Sequence, residues 1–365
     1  MAAPHVTGAL AVLMDRYDQM DALQVRDVMF TTANHKNADG SNFKGWTAAE
    51  GEVDVRYGWG MPDLEKGMFG PGQFLGEFNY NMAKKGSLDV WSNDISQTAL
   101  NQRNEEDHAW LTAANKWMQL ANDNPNATVA ELNRLMAEKL TKEECALLGD
   151  ILTDTDDDIV GIDPEGEKIA DANAIKWRKD YYQKRITAIN DRVYNGSLNL
   201  TGEGTLVMLG NNSYEGTTTV GGKATLLAFA ESIGHKEAKP AEGDQPAVDA
   251  VDPEVTVKNG GTFGVLSSYD DQFTQRGHVE SKEATAGKLT INVETGGTLY
   301  VDAASTVKVK AVNFNGTDKN VKIGLAGADS QSLIDAYNGK KDAISGTFET
   351  VDANDKVFDG VTITG

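Results

Sequence analysis

Gly202-Glu203-Gly204-Thr205-Leu206-Val207-Met208-Leu209-Gly210-Asn211-Asn212-Ser213-Tyr214-Glu215-Gly216-Thr217-Thr218-Thr219-Val220-Gly221-Gly222 holds two short runs of strand-forming residues, each closed by glycine. Aliphatic and β-branched side chains suit a pleated surface, and alternating Leu and Val can face a core while glycine turns the corners. Asn211 and Asn212 suit a turn that visits left-handed conformations. The texture extends on both sides: Ser197 to Leu200, Ala224 to Phe229, Val255 to Val257, Thr262 to Leu266, Lys288 to Val293, Thr298 to Val301 and Ser305 to Val309 read as strands. Gly260-Gly261-Thr262 and Gly296-Gly297-Thr298 repeat one local signature, with Gly221-Gly222 in an equivalent place. A glycine turn and a short strand recurring every ~20 to 40 residues is what a solenoid needs, since each turn buries its face only against its neighbours. Residues 196–365 are therefore expected to form a parallel β-helix. Residues 230–253, charged and rich in proline, are expected to leave it as a solvated acidic loop.

Upstream the period changes from strand to helix. Trp110, Leu111, Ala114, Trp117, Met118 and Ala121 follow an amphipathic template. Thr128 with Glu131 and Thr141 with Glu144 read as capping boxes that open two further helices. Asp163-Pro164 marks another start, and Ile169, Ile175, Tyr182, Ile186, Ile189 and Val193 trace a buried stripe. Residues 71–195 thus read as a linker strand region followed by a helical insertion. Trp110 and Trp117, seven apart, read as helix core rather than a ligand platform.

Residues 1–70 mix helical patterns with glycine-rich turns. Val6, Leu10, Leu13 and Tyr17 share one helical face, and Ala2, Ala3, Ala9 and Ala11 fill much of the rest with small side chains. A helix with so little polar surface expects to be enclosed. With no substantial strands nearby, its packing partner is expected to be missing, leaving this end mobile or docked on the helical block. A second helix is expected from Asp21 to about Met29, and a third after Met61, where Pro62 and Asp63 suit a helix start.

The composition sets limits on function. With 34 Lys and Arg against 55 Asp and Glu the formal charge is -21, which excludes a nucleic-acid binder held by phosphate contacts. Hydrophobic residues at 40% and aromatics at 7% allow packed cores but are low for one tightly filled globule. The single cysteine, Cys145, rules out an intramolecular disulfide and reads as a buried, inert thiol. Asp154, Asp156, Asp157 and Asp158 carry hard oxygens, but the glycine and glutamate that a helix-loop-helix calcium site places in its loop do not fall at their positions, so a solvated turn is expected. His35, His108, His235 and His278 lack mutual metal-ligand spacing, and neither a metal nor a cofactor is expected. No segment approaches a membrane span, and MAAPHVTGAL lacks the basic and apolar regions of a secretory signal.

Two resemblances join these regions. Met1-Ala2-Ala3-Pro4-His5-Val6-Thr7-Gly8 resembles the segment that directly follows the catalytic serine in subtilisin-like serine endopeptidases, Gly-Thr-Ser-Met-Ala-Ala-Pro-His-Val. Tyr57-Gly58-Trp59-Gly60-Met61-Pro62-Asp63-Leu64 resembles the end of that catalytic domain. The stretch from Gly202 to Gly222 resembles the passenger-associated repeat of bacterial autotransporters, and right-handedness of the β-helix is implied by that likeness alone. Together these imply a mixed α and β chain: the C-terminal fragment of an α/β subtilisin-like domain, a helical insertion and a β-helical passenger. Its nucleophile is expected immediately before Met1, with the histidine and aspartate of the triad further upstream. Met1, Ala2, Ala3, Pro4, His5 and Gly8 would then flank the nucleophile, His5 in a structural role. The chain is expected to be inactive alone. The parent would act on peptide or protein substrates at the bacterial cell surface or outside the cell, beside an outer-membrane translocator barrel in cis. The alternative is a non-enzymatic surface stalk or adhesin.

Overall fold

The computed structural model describes residues 2–150, 164–236, 238, 240, 249–271, 277–282, 287–302, 307–316, 318–324, 348–350 and 362–364. The chain divides into two compact units, residues 1–100 with 195–365, and residues 101–194.

The first unit is built on two parallel sheets between which the chain alternates. One contains β1 (Glu77–Met82), β3 (Ser197–Gly202), β5 (Thr218–Val220), β7 (Glu254–Val257), β11 (Thr290–Val293) and β14 (Ala311–Phe314), in that spatial order. The other runs β2 (Leu88–Trp91), β4 (Thr205–Met208), β6 (Thr225–Ala228), β8 (Thr262–Val265), β12 (Thr298–Asp302), β15 (Asn320–Gly324) and β17 (Thr362–Thr364). All the expected strands are present. β1 and β2 precede the region in which strands were expected, and the alternation of Phe78, Tyr80 and Met82 was the available signal. An antiparallel hairpin of β9 (Ser268–Asp271) and β10 (Gly277–Glu280) and a parallel pair of β13 (Val307–Val309) with β16 (Phe348–Thr350) complete the strands.

In-register pairing stacks like on like. Leu206, Leu226, Phe263, Leu299 and Val321 form one buried column, and Leu198, Val255, Ile291 and Val312 belong to another. The opposite face of the first sheet carries a polar column, Asn79, Asn199, Thr219, Thr256, Asn292 and Asn313. Within it the Asn199 amide donates to Asn79 Oδ1 at 2.7 Å and Thr219 Oγ1 donates to Asn199 Oδ1 at 2.8 Å. The equivalent face of the second sheet is apolar, and Val90, Val207, Leu227 and Tyr300 are buried there with Tyr269 of β9 and Val279 of β10.

The two kinds of corner differ. From first sheet to second, the connections β1–β2, β3–β4, β5–β6, β7–β8 and β11–β12 are all short, and Gly86, Gly202, Gly222, Gly260 and Gly296 lie there with positive φ, between 67° and 99°. Such backbone strongly favours glycine. The return connections hold everything else: the helical residues between β2 and β3, residues 229–253 between β6 and β7, and the hairpin between β8 and β11. The return from β4 to β5 shows the unadorned form. Asn212, buried, accepts from the Ile95 N–H at 2.8 Å and donates to the Ser232 carbonyl at 2.6 Å, so one side chain ties three successive turns. Tyr214 is buried beside it with its hydroxyl 2.7 Å from Thr218 Oγ1, and burial pushes its pKa up to about 12. The acidic loop begins later than expected, because Ala230, Glu231, Ser232 and Ile233 are buried.

Helices α1 (Ala2–Arg16), α2 (Ala22–Thr31) and α3 (Leu64–Gly67) belong to the same unit. Asp21 caps α2 in a reciprocal box with Gln24. The expectation that this end lacks a partner is corrected by the core: Ala9, Leu13, Tyr17, Val25 and Val28 share one buried cluster with Phe74, Phe78, Tyr80 and Trp91 of the first turn. The ladder itself supplies the surface. Val6, expected on that face, is 41% exposed, so the buried stripe runs through Ala9, Leu13 and Tyr17.

In the second unit α4 (Thr98–Asp123), α5 (Val129–Lys139), α6 (Lys142–Leu148) and α7 (Pro164–Asn190) enclose a separate core. Both capping boxes form. Trp110 and Trp117 meet Tyr182 edge to face at 5.0 and 5.2 Å, and Arg178 donates to the carbonyls of Leu148 and Gly149 at 2.6 Å each. Val193 lies beyond α7 and is exposed, which shortens the expected stripe. Cys145 is half-buried rather than buried, its thiol 3.6 Å from the Met136 carbonyl. Asp154 to Asp158 lie outside the described residues.

Candidate functional site

The nucleophile-flanking motif opens α1. Met1 lies outside the described residues, as does the side chain of Ala2; Ala3, Pro4, His5 and Gly8 are exposed on the first turns of the helix. His5 therefore sits at the surface of this unit, not in its core. A Cβ added at Gly8 meets nothing within 4 Å.

The far end of the same helix is tightly held. Arg16 Nη2 donates to Asp89 Oδ1 at 2.7 Å, Arg16 Nε donates to the Met68 carbonyl at 3.1 Å, and the guanidinium lies 4.3 Å from the Tyr17 ring centre. Asp89 occupies the head of the apolar column that continues as Leu206 and Leu226, and it is buried. A buried carboxylate is tolerated only when its lone pairs are satisfied. Here the Tyr80 hydroxyl and the Trp91 indole N–H each donate to its Oδ2 at 2.9 Å. Tyr17 donates its hydroxyl proton to the Gly67 carbonyl at 2.6 Å and accepts from the Gly70 N–H at 2.7 Å. Burial raises the pKa of both tyrosines well above the usual phenol range, the Asp89 charge adding to it. These groups are fixed supports, each with its proton committed. Neither Arg16 nor Asp89 emerges from sequence reasoning; the signals were a lone cation ending an apolar helix and a lone acid inside Leu88-Asp89-Val90-Trp91.

The Tyr57-Gly58-Trp59-Gly60 segment is held by Asp54. Its carboxylate accepts from the N–H groups of Thr47, Arg56 and Tyr57 at 2.8, 2.8 and 3.0 Å, which hold its pKa far below the ordinary carboxylate range, the Thr47 bond contributing most. At Gly60 a Cβ would stand 2.5 Å from the Asn34 carbonyl oxygen, so only glycine fits.

The other histidines are dispersed. His35 stacks on Trp46 at 4.4 Å and faces Glu50 at 3.4 Å; His108 and His235 bond to the carbonyls of Asn104 and Ile233; His278 bonds to Asp270 at 2.7 Å. None of these contacts involves a serine hydroxyl, the arrangement that nucleophilic activation requires. Among the described residues no helix is long and apolar enough to cross a membrane.

Residues 1–60 match the subtilase family, peptidase S8. The likeness is to subtilisin-like proteins of the autotransporter type. Serotype-specific antigen 1 of Mannheimia haemolytica is 36% identical over 95 residues, 26% of this chain and 9% of that protein. The Neisserial autotransporter lipoprotein NalP of Neisseria meningitidis serogroup B is 28% identical over 243 residues, 64% of this chain and 20% of that protein. An extracellular serine protease of Serratia marcescens is 26% identical over 234 residues, 64% of this chain and 15% of its own length. The chain thus spans a fifth or less of each of these relatives, and its resemblance to two of them extends well beyond the subtilase segment.

Proposed function

We propose that residues 1–365 form the junction of a secreted subtilisin-like serine endopeptidase of the autotransporter type, where the last part of the catalytic domain meets a β-helical passenger. The observation that carries this reading is continuity of the core. Leu13 and Tyr17, within the subtilase match, are buried in one cluster with Phe78, Trp91, Leu198 and Leu206 of the ladder. Two parallel sheets fed alternately by the chain support the β-helix. The proposed serine stands immediately before Met1 and its histidine and aspartate lie earlier, so these residues alone carry no peptidase activity. The parent would cleave peptide or protein substrates at the cell surface or outside the cell, with a translocator barrel in cis.

Casein hydrolysis and labelling by a fluorophosphonate test this directly. Residues 1–365 should give neither above background, whereas a chain that places a full subtilase domain ahead of Met1 should give both. Labelling of a serine within residues 1–365 would overturn the reading, and an inert longer chain would favour a non-enzymatic stalk.

A further inference from the structure

The unpaired edge of β1 runs along a cleft of about 580 Å³ whose far wall is the turn between α1 and α2. The carbonyls of Gly76 and Met82 accept from the β3 side, from the N–H groups of Ser197 and Glu203 at 3.1 and 2.8 Å. Along a strand, successive residues direct their backbone groups to opposite edges. Glu77, Asn79 and Asn81 therefore turn theirs toward the free edge. An edge of this kind is a template for another strand unless something covers it.

Two glutamines stand where that strand would lie. Gln24 Nε2 donates to the Asn79 carbonyl at 2.7 Å, and Gln19 Oε1 accepts from the Lys84 N–H at 2.9 Å. One side-chain amide supplies a donor and the other an acceptor, the two groups that an adjoining backbone offers. They hang from the α1–α2 turn, which a modest shift of side chains would clear. The same wall carries Asp18 and Asp21, against the single cation Lys84 at 3.9 Å from Asp18.

We infer that this cleft is a binding site for an extended peptide bearing basic side chains, which adds along β1 as an outer strand and takes over the Asn79 carbonyl from Gln24. Main-chain hydrogen bonds supply affinity, and the carboxylates of Asp18 and Asp21 select Lys or Arg at alternate positions. The inference rests on the strand edge and the cleft, and it stands whether or not the peptidase reading holds.

The test is calorimetric titration of the whole 365-residue chain with an end-capped hexapeptide alternating Val and Lys. Binding should fall in about the micromolar range at low salt. A Val and Glu hexapeptide, and a Val and Lys hexapeptide N-methylated at alternate backbone nitrogens, should each bind about tenfold more weakly or worse, the first for want of charge complementarity and the second for want of donors. In the Asp18→Asn, Asp21→Asn double variant affinity for the Lys peptide should fall about tenfold with an unchanged circular dichroism spectrum, because Asn retains the cap of α2. Amide exchange at Asn79 and Asn81 should slow on binding. Equal binding of the N-methylated peptide, equal affinity of the double variant, unaltered exchange at Asn79 and Asn81, or no binding at about millimolar peptide would each overturn the site.

Discussion

In the helical unit Trp110, Trp117 and Tyr182 converge on one point from two helices, while in the ladder Leu206, Leu226, Phe263 and Leu299 each lean on an equivalent residue one turn away. The first arrangement is a closed cluster in which removing one ring leaves a hole that nothing else fills. The second is open-ended, and each contact is shared only with nearest neighbours. A closed cluster should therefore fail as a whole, and a stacked column should fail by turns.

Trp117→Ala is the sharpest challenge to that contrast. It should cost about 3–5 kcal/mol and melt the helical signal early, while amide exchange at Leu226 and Ile291 stays slow. Loss of protection throughout the ladder would show that the two units are one cooperative body. Next comes the anchored end of α1. Arg16→Ala leaves the Asp89 carboxylate buried without its cation and should cost about 3 kcal/mol, read in urea denaturation. Asp89→Leu, which continues the apolar column, should cost much less. If the two variants were equally destabilised, the ion pair would be a genuine stabiliser rather than a demand created by burial.

A smaller effect probes local rules alone. Thr128→Ala removes a capping box and should cost about 1 kcal/mol, confined to α5 and its neighbours in the helical core. Smallest is a pH effect on the β9–β10 hairpin, where the bond to Asp270 raises the pKa of exposed His278 above its ordinary 6.5. A raised pKa means the charged form is favoured by folding, so the contribution is complete below about pH 6.5 and disappears as pH climbs through the raised value. NMR titration of the His278 ring, with exchange rates at Gly277–Glu280, measures it; a His278 pKa at or below 6.5 would remove the effect.

What could be read from sequence follows the same divide. Thr128 with Glu131 and Thr141 with Glu144 announce their helices because capping is settled within four residues. The Gly-Gly-Thr corners announce strands because a positive φ excludes nearly every other residue. Asp89 was hidden, since its partners Arg16, Tyr80 and Trp91 come together only when α1 settles on the first turn. Asn212 was read as a turn former for its intrinsic preference, whereas its side chain bridges turns through Ile95 and Ser232, distant in sequence. The burial of α1 was missed for a related reason: the surface that covers it is made by β1 and β2, strands without the glycine signature.

The asymmetry of the corners has a lasting consequence for how such a molecule can change. Extra chain spliced into a return connection alters no pairing above or below it, and closing a longer loop costs only about 0.6 kcal/mol for each doubling. One residue added at a glycine corner would instead flip the following strand inside out. Natural variation and deliberate grafting alike should therefore accumulate along one flank, leaving the other as an invariant spine.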